Sequence, residues 1–187
     1  MSITKFLIAL LAFVEILMIG CSDEPQLPVT PIDQGTLNKV TIINITALSY
    51  PTAIIDPGEQ HIADGNLIGR NVIIAVRWDS ENDFVDANGI LTLNYNVDAI
   101  TNEGQWWGTL TLTPDEPAIG GEWDITWNGR STKTGESEWT LPLHMVGHGI
   151  GGSIDGMHLQ VTNTVVYHQP FGFWLGNVDG FIKYNSK

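Results

Sequence analysis

Hydrophobic and polar residues alternate singly along most of the chain after residue 38. The pattern is clearest in two runs. In residues 121–129, Trp123, Ile125 and Trp127 fall on one side, and Glu122, Asp124, Thr126 and Asn128 on the other. In residues 137–147, Trp139, Leu141, Leu143 and Met145 share one side, opposite Glu138, Thr140, His144 and Val146. A period of two belongs to a β-strand with one packed face and one wetter face. Eight such runs occur, at 39–48, 67–78, 89–97, 105–113, 121–129, 137–147, 157–166 and 173–184. They are rich in β-branched and aromatic residues and are bounded by glycine, proline, asparagine and aspartate. The segment "DANG" (86–89) predicts a hairpin turn, because asparagine followed by glycine accepts positive φ angles. Successive hairpins with short connections predict an antiparallel meander, and eight strands can close on themselves and so remove their edges. The expected fold is therefore all-β: a single antiparallel β-barrel of about eight strands, with a two-sheet β-sandwich as the alternative.

The first 38 residues lack this alternation. In "MSITKFLIALLAFVEILMIG" (1–20), Lys5 precedes an apolar run from Phe6 to Ile19 that contains Glu15. The run has the length of a signal-peptide core and is short for a membrane span. It ends in "LMIGC", where Gly20 directly precedes Cys21, the only cysteine of the chain. This resembles the lipobox of bacterial lipoproteins, with Met18 where leucine is more usual. The following "SDEPQ", through Asp23 and Glu24, resembles the acidic export tag of surface lipoproteins of the Bacteroidota. The resemblance implies cleavage before Cys21, lipidation of its thiol, and residence in the bacterial cell envelope, anchored by lipid in the outer membrane and open to exposure at the surface. Each buried methylene of the acyl chains would add about 0.8 kcal/mol to the anchoring. Without lipidation Cys21 would be a free thiol, since a lone cysteine makes no intramolecular disulfide. Residues 22–36 hold three prolines and read as an extended tether. The chain thus divides into a lipoprotein signal peptide (1–20), the lipidated cysteine with its tether (21–38) and a β-barrel domain (39–187).

Charge removes some classes of partner. The chain carries a formal net charge of −13, and Lys5 and Glu15 cancel, so loss of the signal peptide leaves it unchanged. Such a charge opposes nucleic acid, whose binding rests on lysine and arginine neutralising phosphates, and opposes docking on anionic lipid. A content of 43% hydrophobic residues with seven tryptophans provides for a real core.

The stretch "GQWWGTLTLTP…GGEWDITWNGR…GHGIGGSIDG", within residues 104–156, resembles the hairpin-and-glycine pattern of small secreted calycin-like barrels, including the allene oxide cyclase and dirigent group. The resemblance rests on scaffold glycines and tryptophans. It implies a barrel and assigns no catalytic residue.

Several constellations invite a chemical reading. Gly147, Gly149 and Gly152 satisfy G-x-G-x-x-G after an apolar strand, but a dinucleotide site needs a helix next, and "SIDGMHLQV" reads as turn and strand. These glycines are expected to form a bulged link between the strands around them. "GGSID" (151–155) lacks the strand-to-helix setting of a nucleophile elbow. The acidic "DSENDFVDANG" (79–89) has Phe84 and Ile90 where a calcium loop needs glycine and glutamate. His144, His148 and His158 could meet near one rim and hold zinc with an open position, or serve as surface histidines. No metal and no cofactor is assigned. Trp106 and Trp107 are adjacent, so one of them faces away from the core. With Tyr95 and Trp174 they offer aromatic surface for a small apolar or sugar ligand. The expected ligand-binding residues are Tyr95, Trp106, Trp107, Trp174, His144, His148 and His158. The favoured function is a lipid-anchored ligand-binding or interaction module. A luminal enzyme of cyclase or isomerase type and a structural envelope protein are the alternatives. An apolar interior would speak for binding, and inward titratable groups for catalysis.

Overall fold

A computed structural model describes residues 39–168 and 174–186. The signal peptide, Cys21 and the tether lie outside the described residues. Nine strands follow one another: β1 (Lys39–Asp56), β2 (Glu59–Ala63), β3 (Asn66–Asp79), β4 (Ala87–Asp98), β5 (Gly104–Pro114), β6 (Glu122–Lys133), β7 (Glu138–Ile150), β8 (His158–His168) and β9 (Trp174–Ser186). A single 3-10 turn, Gly152–Ile154, lies between β7 and β8. Every pairing is antiparallel, and sequential strands from β2 to β9 are neighbours.

Closure depends on β1. Its first part pairs with β9, from Lys39↔Ser186 to Ser49↔Gly176, and its second part pairs with β3, from Leu48↔Asp79 to Asp56↔Ile73. One long strand thus joins the two ends of the meander into an eight-stranded barrel of β1 and β3–β9. The sandwich alternative is not what forms. Pro51 stands just past the last β9 partner, where a residue without an N–H is tolerated and the strand bulges. The join is stapled inside by Asn163 of β8, whose Nδ2 donates to Ser49 Oγ of β1 at 2.8 Å. Gly176 of β9 lies between them. A side chain there would come within 2.2 Å of Asn163 Oδ1 and 2.3 Å of Ser49 Oγ.

The alternation read from sequence sets the walls. Trp123, Ile125 and Trp127 of β6 and Trp139, Leu141, Leu143 and Met145 of β7 are all buried, and their even-numbered neighbours in chain order face outward. Loops cover one end and part of the other. At one end the β3–β4 loop buries Val85, and Phe84 O accepts from Trp123 Nε1 at 2.7 Å. The 3-10 turn adds Ile154, folded back on Gly149. At the other end the β4–β5 loop buries Asn102, whose carbonyl accepts from Ser131 Oγ at 2.8 Å. Thr101 O accepts from Trp139 Nε1 at 2.7 Å.

Three local readings change. β2 was not expected: "EQHIA" has too few apolar residues to show a period, and the strand forms because β3 presents Asn66–Arg70 as a free edge beyond the reach of β1. Asn88 and Gly89 belong to β4, and the turn lies earlier, at residues 80–86, where Asp86 is held by Arg77. The connection of Gly147–Gly156 is longer in strand than a bulged link, since β7 runs on to Ile150. Gly147 and Gly149 are buried strand residues, while Gly151, Gly152 and Gly156 have positive φ.

Candidate functional site

The barrel encloses a cavity of about 260 Å³. Bulky aromatics stand toward the ends, while the wall between them includes shorter groups. Val72, Leu93 and Val165 stand there. Branched aliphatic side chains do not reach across an eight-stranded barrel, whose interior is wide enough to hold one small ligand. The mouth is bordered by Pro51, Ile54, Gln60, Leu67 and Trp174, where β1 has left β9 and the β2–β3 hairpin projects. Ile54 is 67% exposed and Ile62 is 69% exposed. Ile62 is paired directly with Leu67 and so shares its face, which makes an apolar lip continuous with the lumen.

Among the described residues the lining carries no charged side chain. The lining residues with polar side-chain groups are Gln60, Tyr95, Tyr167 and the tryptophans. Tyr95 packs its ring on Gly69, where a Cβ would come within 2.2 Å of the ring, and donates its hydroxyl to Gln60 Oε1 at 2.7 Å. Its ring centroid lies 4.8 Å from that of Trp106, and Trp106 lies 6.0 Å from Tyr167. Burial pushes the hydroxyls of both tyrosines above their ordinary value. At Tyr167 the hydrogen bond with Ser131 works the other way, and Glu103 adds to the rise.

The tryptophans differ in how their N–H groups are met. Trp123 and Trp139 donate to the closing loops, and Trp106 donates to Ser131 Oγ at 3.0 Å. Trp127 stands between these layers, opposite Gly108 in the register. Its Nε1 is buried and has no hydrogen-bond partner among the described residues. An unmet buried donor costs about 1–3 kcal/mol. Asn163 Oδ1 is the second such atom, although Asn163 is not part of the lumen wall.

Of the residues expected to bind a ligand, Tyr95, Trp106 and Trp174 come together around the lumen. The other four lie on the outside. Trp107 faces outward at 37% exposure, with the Arg70 guanidinium 5.0 Å from its ring centroid. His144, His148 and His158 are exposed on the outer wall. His148 pairs with His158, and His144 pairs with Thr162, so His158 stands beside His148 and not beside His144. The nearest carboxylate oxygen to His148 Nε2 is Asp124 Oδ2 at 4.0 Å. No group of three or more histidine, cysteine, aspartate or glutamate side chains that could hold a metal occurs among the described residues. Sequence reasoning placed Trp127 inside but missed its distinction, because the lack of a partner is set by which loops reach the mid-barrel. It also missed Gln60, which sits on the unexpected strand. The site stands on this geometry alone: no family model, no curated protein and no solved structure matches the chain.

Proposed function

We propose that this protein is a lipid-anchored binding protein of the bacterial envelope that takes a small apolar molecule into its barrel. The observation that carries the reading is the lumen: about 260 Å³ of space walled by aliphatic and aromatic side chains and opening at an apolar lip. Ligand sites are concave and mostly apolar with a few polar groups. A dry cavity of about 150 Å³ holds benzene, so in proportion this one suits a molecule of about ten non-hydrogen atoms. The wall supports binding over acid–base catalysis, because its titratable groups are two tyrosines whose proton loss is made harder by burial. The likeness to calycin-like barrels agrees with a luminal ligand. The anchor rests on "LMIGC" and the acidic "SDEPQ" after it.

Titration with naphthalene, followed by calorimetry, tests the lumen. Saturable binding is expected for the wild type, and its loss is expected in Leu93→Trp, which fills the cavity, with the far-ultraviolet circular dichroism unchanged. No binding, or equal binding to both proteins, overturns the reading. Membrane fractionation tests the anchor: Cys21→Ser should release the protein into the soluble fraction, and retention after a salt wash would remove the lipoprotein reading.

A further inference from the structure

We infer that the luminal ligand is an uncharged amphiphile: its apolar body fills the barrel, and its one polar group, a carbonyl or ether oxygen, stays at the mouth on the amide of Gln60. The inference rests on the luminal binding proposed above and adds the class of molecule and its orientation. Gln60 is the one polar residue of the described lining that is also exposed, so a ligand seated in the lumen meets this amide where it still touches water.

The amide is oriented by its neighbours. Gln60 pairs with Gly69, and Gly69 pairs with Tyr95 on the next strand. Because Gly69 has no side chain, the Tyr95 ring leans across it, and the hydroxyl donates to Gln60 Oε1 at 2.7 Å. On the other side Gln60 Nε2 donates to Pro57 O at 3.0 Å. A carbonyl only accepts, so the nitrogen stands on that side and the oxygen faces the tyrosine. An amide nitrogen carries two hydrogens. One is spent on Pro57, and the second has no protein partner among the described residues. Deeper in the barrel the donors are taken or covered. The hydroxyls of Tyr95 and Tyr167 donate to Gln60 and Asn102 O, the Trp106 indole donates to Ser131 Oγ, and Nε1 of Trp127 is buried. A ligand oxygen placed there would give up water with no donor in exchange, so the apolar end goes in and the polar end stays out.

Charge restricts the polar group. The described lining has no lysine, arginine or histidine to receive an anion. Around the hairpin that carries Gln60 stand the carboxylates of Asp56, Glu59, Asp64 and Asp98, against the guanidinium of Arg70. That guanidinium lies over the outward Trp107 ring and donates to Gly69 O and Tyr95 O. A carboxylate at the mouth would meet like charge, whereas a neutral oxygen needs only the free amide hydrogen.

The test uses three probes on the purified protein: tetralin, 2-tetralone and 1,2,3,4-tetrahydro-2-naphthoate. They share a two-ring frame and carry no acceptor, one neutral acceptor, or a carboxylate. Dissociation constants are measured by calorimetry for the wild type and for Gln60→Glu, which keeps an oxygen for the Tyr95 hydroxyl and removes the donor. Gln60 is exposed, so the variant folds, as circular dichroism would verify. The preference for tetralone over tetralin should be about three- to tenfold larger in the wild type than in the variant, the size of one net hydrogen bond. The Gln60 side-chain amide protons, assigned by their absence from the variant's NMR spectrum, should shift with tetralone and not with tetralin. Tetrahydronaphthoate should bind at least tenfold more weakly than tetralone at neutral pH and low salt. If tetralin and tetralone both bind with the same ratio in the two proteins and the amide protons do not move, the role of Gln60 is overturned while luminal binding stands. If tetrahydronaphthoate binds as well as tetralone, the restriction to uncharged ligands is overturned. If no probe binds the folded wild type, the luminal reading itself falls.

Discussion

The hydroxyl of Tyr95 donates to Oε1 of Gln60 at 2.7 Å, and this bond holds the short strand β2 to the rim of the lumen. Tyr95 is buried in the wall and Gln60 is exposed, so the bond joins the rigid barrel to its projecting hairpin. Tyr95→Phe keeps the ring on Gly69 and loses only the bond. Water can replace the tyrosine at Gln60, so stability should fall by less than about 1 kcal/mol. Release of a bound naphthalene should become several-fold faster, as read by stopped-flow fluorescence. An unchanged release rate would mean that the hairpin does not control the mouth.

The glycines after β7 should differ in cost by what surrounds them. Gly156 has φ +72° and open space around it, so Gly156→Ala carries backbone strain alone, about 1 kcal/mol. Gly149 has no positive φ, but a Cβ there would stand 2.1 Å from Ile154 O. Gly152 combines φ +57° with a Cβ 2.4 Å from the backbone of Gly120. Both should lose more than Gly156→Ala. With about 2–4 °C lost per kcal/mol in a domain of this size, thermal unfolding separates them. Millimolar nucleotide should leave the wild-type melting temperature unchanged, since a ligand of the native state alone must raise it. A rise would restore the phosphate-loop reading of these glycines.

Arg77 ties together the loops at the closed end. Its guanidinium bonds Asp86 of the β3–β4 loop and Asp115 after β5, and Asn88 Nδ2 donates to Asp115 at 2.7 Å. Arg77→Met keeps the stem and leaves two carboxylates facing each other. Asp115 is well exposed, which weakens its share, so a loss of about 1–2 kcal/mol is expected. Chemical denaturation should show it as a lower midpoint with the same slope.

Acid should loosen the opposite end first. Asp98 accepts the backbone N–H groups of Thr101 at 2.7 Å and Ile100 at 2.9 Å, and these bonds hold its carboxyl below the ordinary carboxylate range. A depressed folded value means that its contribution is present above the unfolded pKa, about 4, and is lost as pH falls through the folded value. The two buried tyrosines behave oppositely: their raised values give a contribution present below about pH 10 and lost above it. Hydrogen exchange of the Trp139 indole N–H, bonded to Thr101 O, reports the loop. Its protection should fall below about pH 4 in the wild type and stay level in Asp98→Asn over the same range. Parallel acid profiles would show that Asp98 does not control this loop.

The sequence by itself determined the strands and their inward faces. The alternation of Trp123, Ile125 and Trp127, and of Trp139 through Met145, needs no partner to be read, because successive side chains of any strand point to opposite sides. The same rule showed that Trp106 and Trp107 must part, and the structure sends Trp106 inward and Trp107 out. What alternation does not contain is which residue lies opposite which. His148 meets His158 only through the register of β7 with β8, and β2 exists only because closure by β1 stops short along β3. The lumen is a property of the same kind. Its volume depends on Val72, Leu93 and Val165 arriving together from strands far apart in the chain, and the unmet donor of Trp127 depends on which of the described loops reach that level. Local periodicity is written residue by residue, whereas register, closure and empty space are set by long-range pairing.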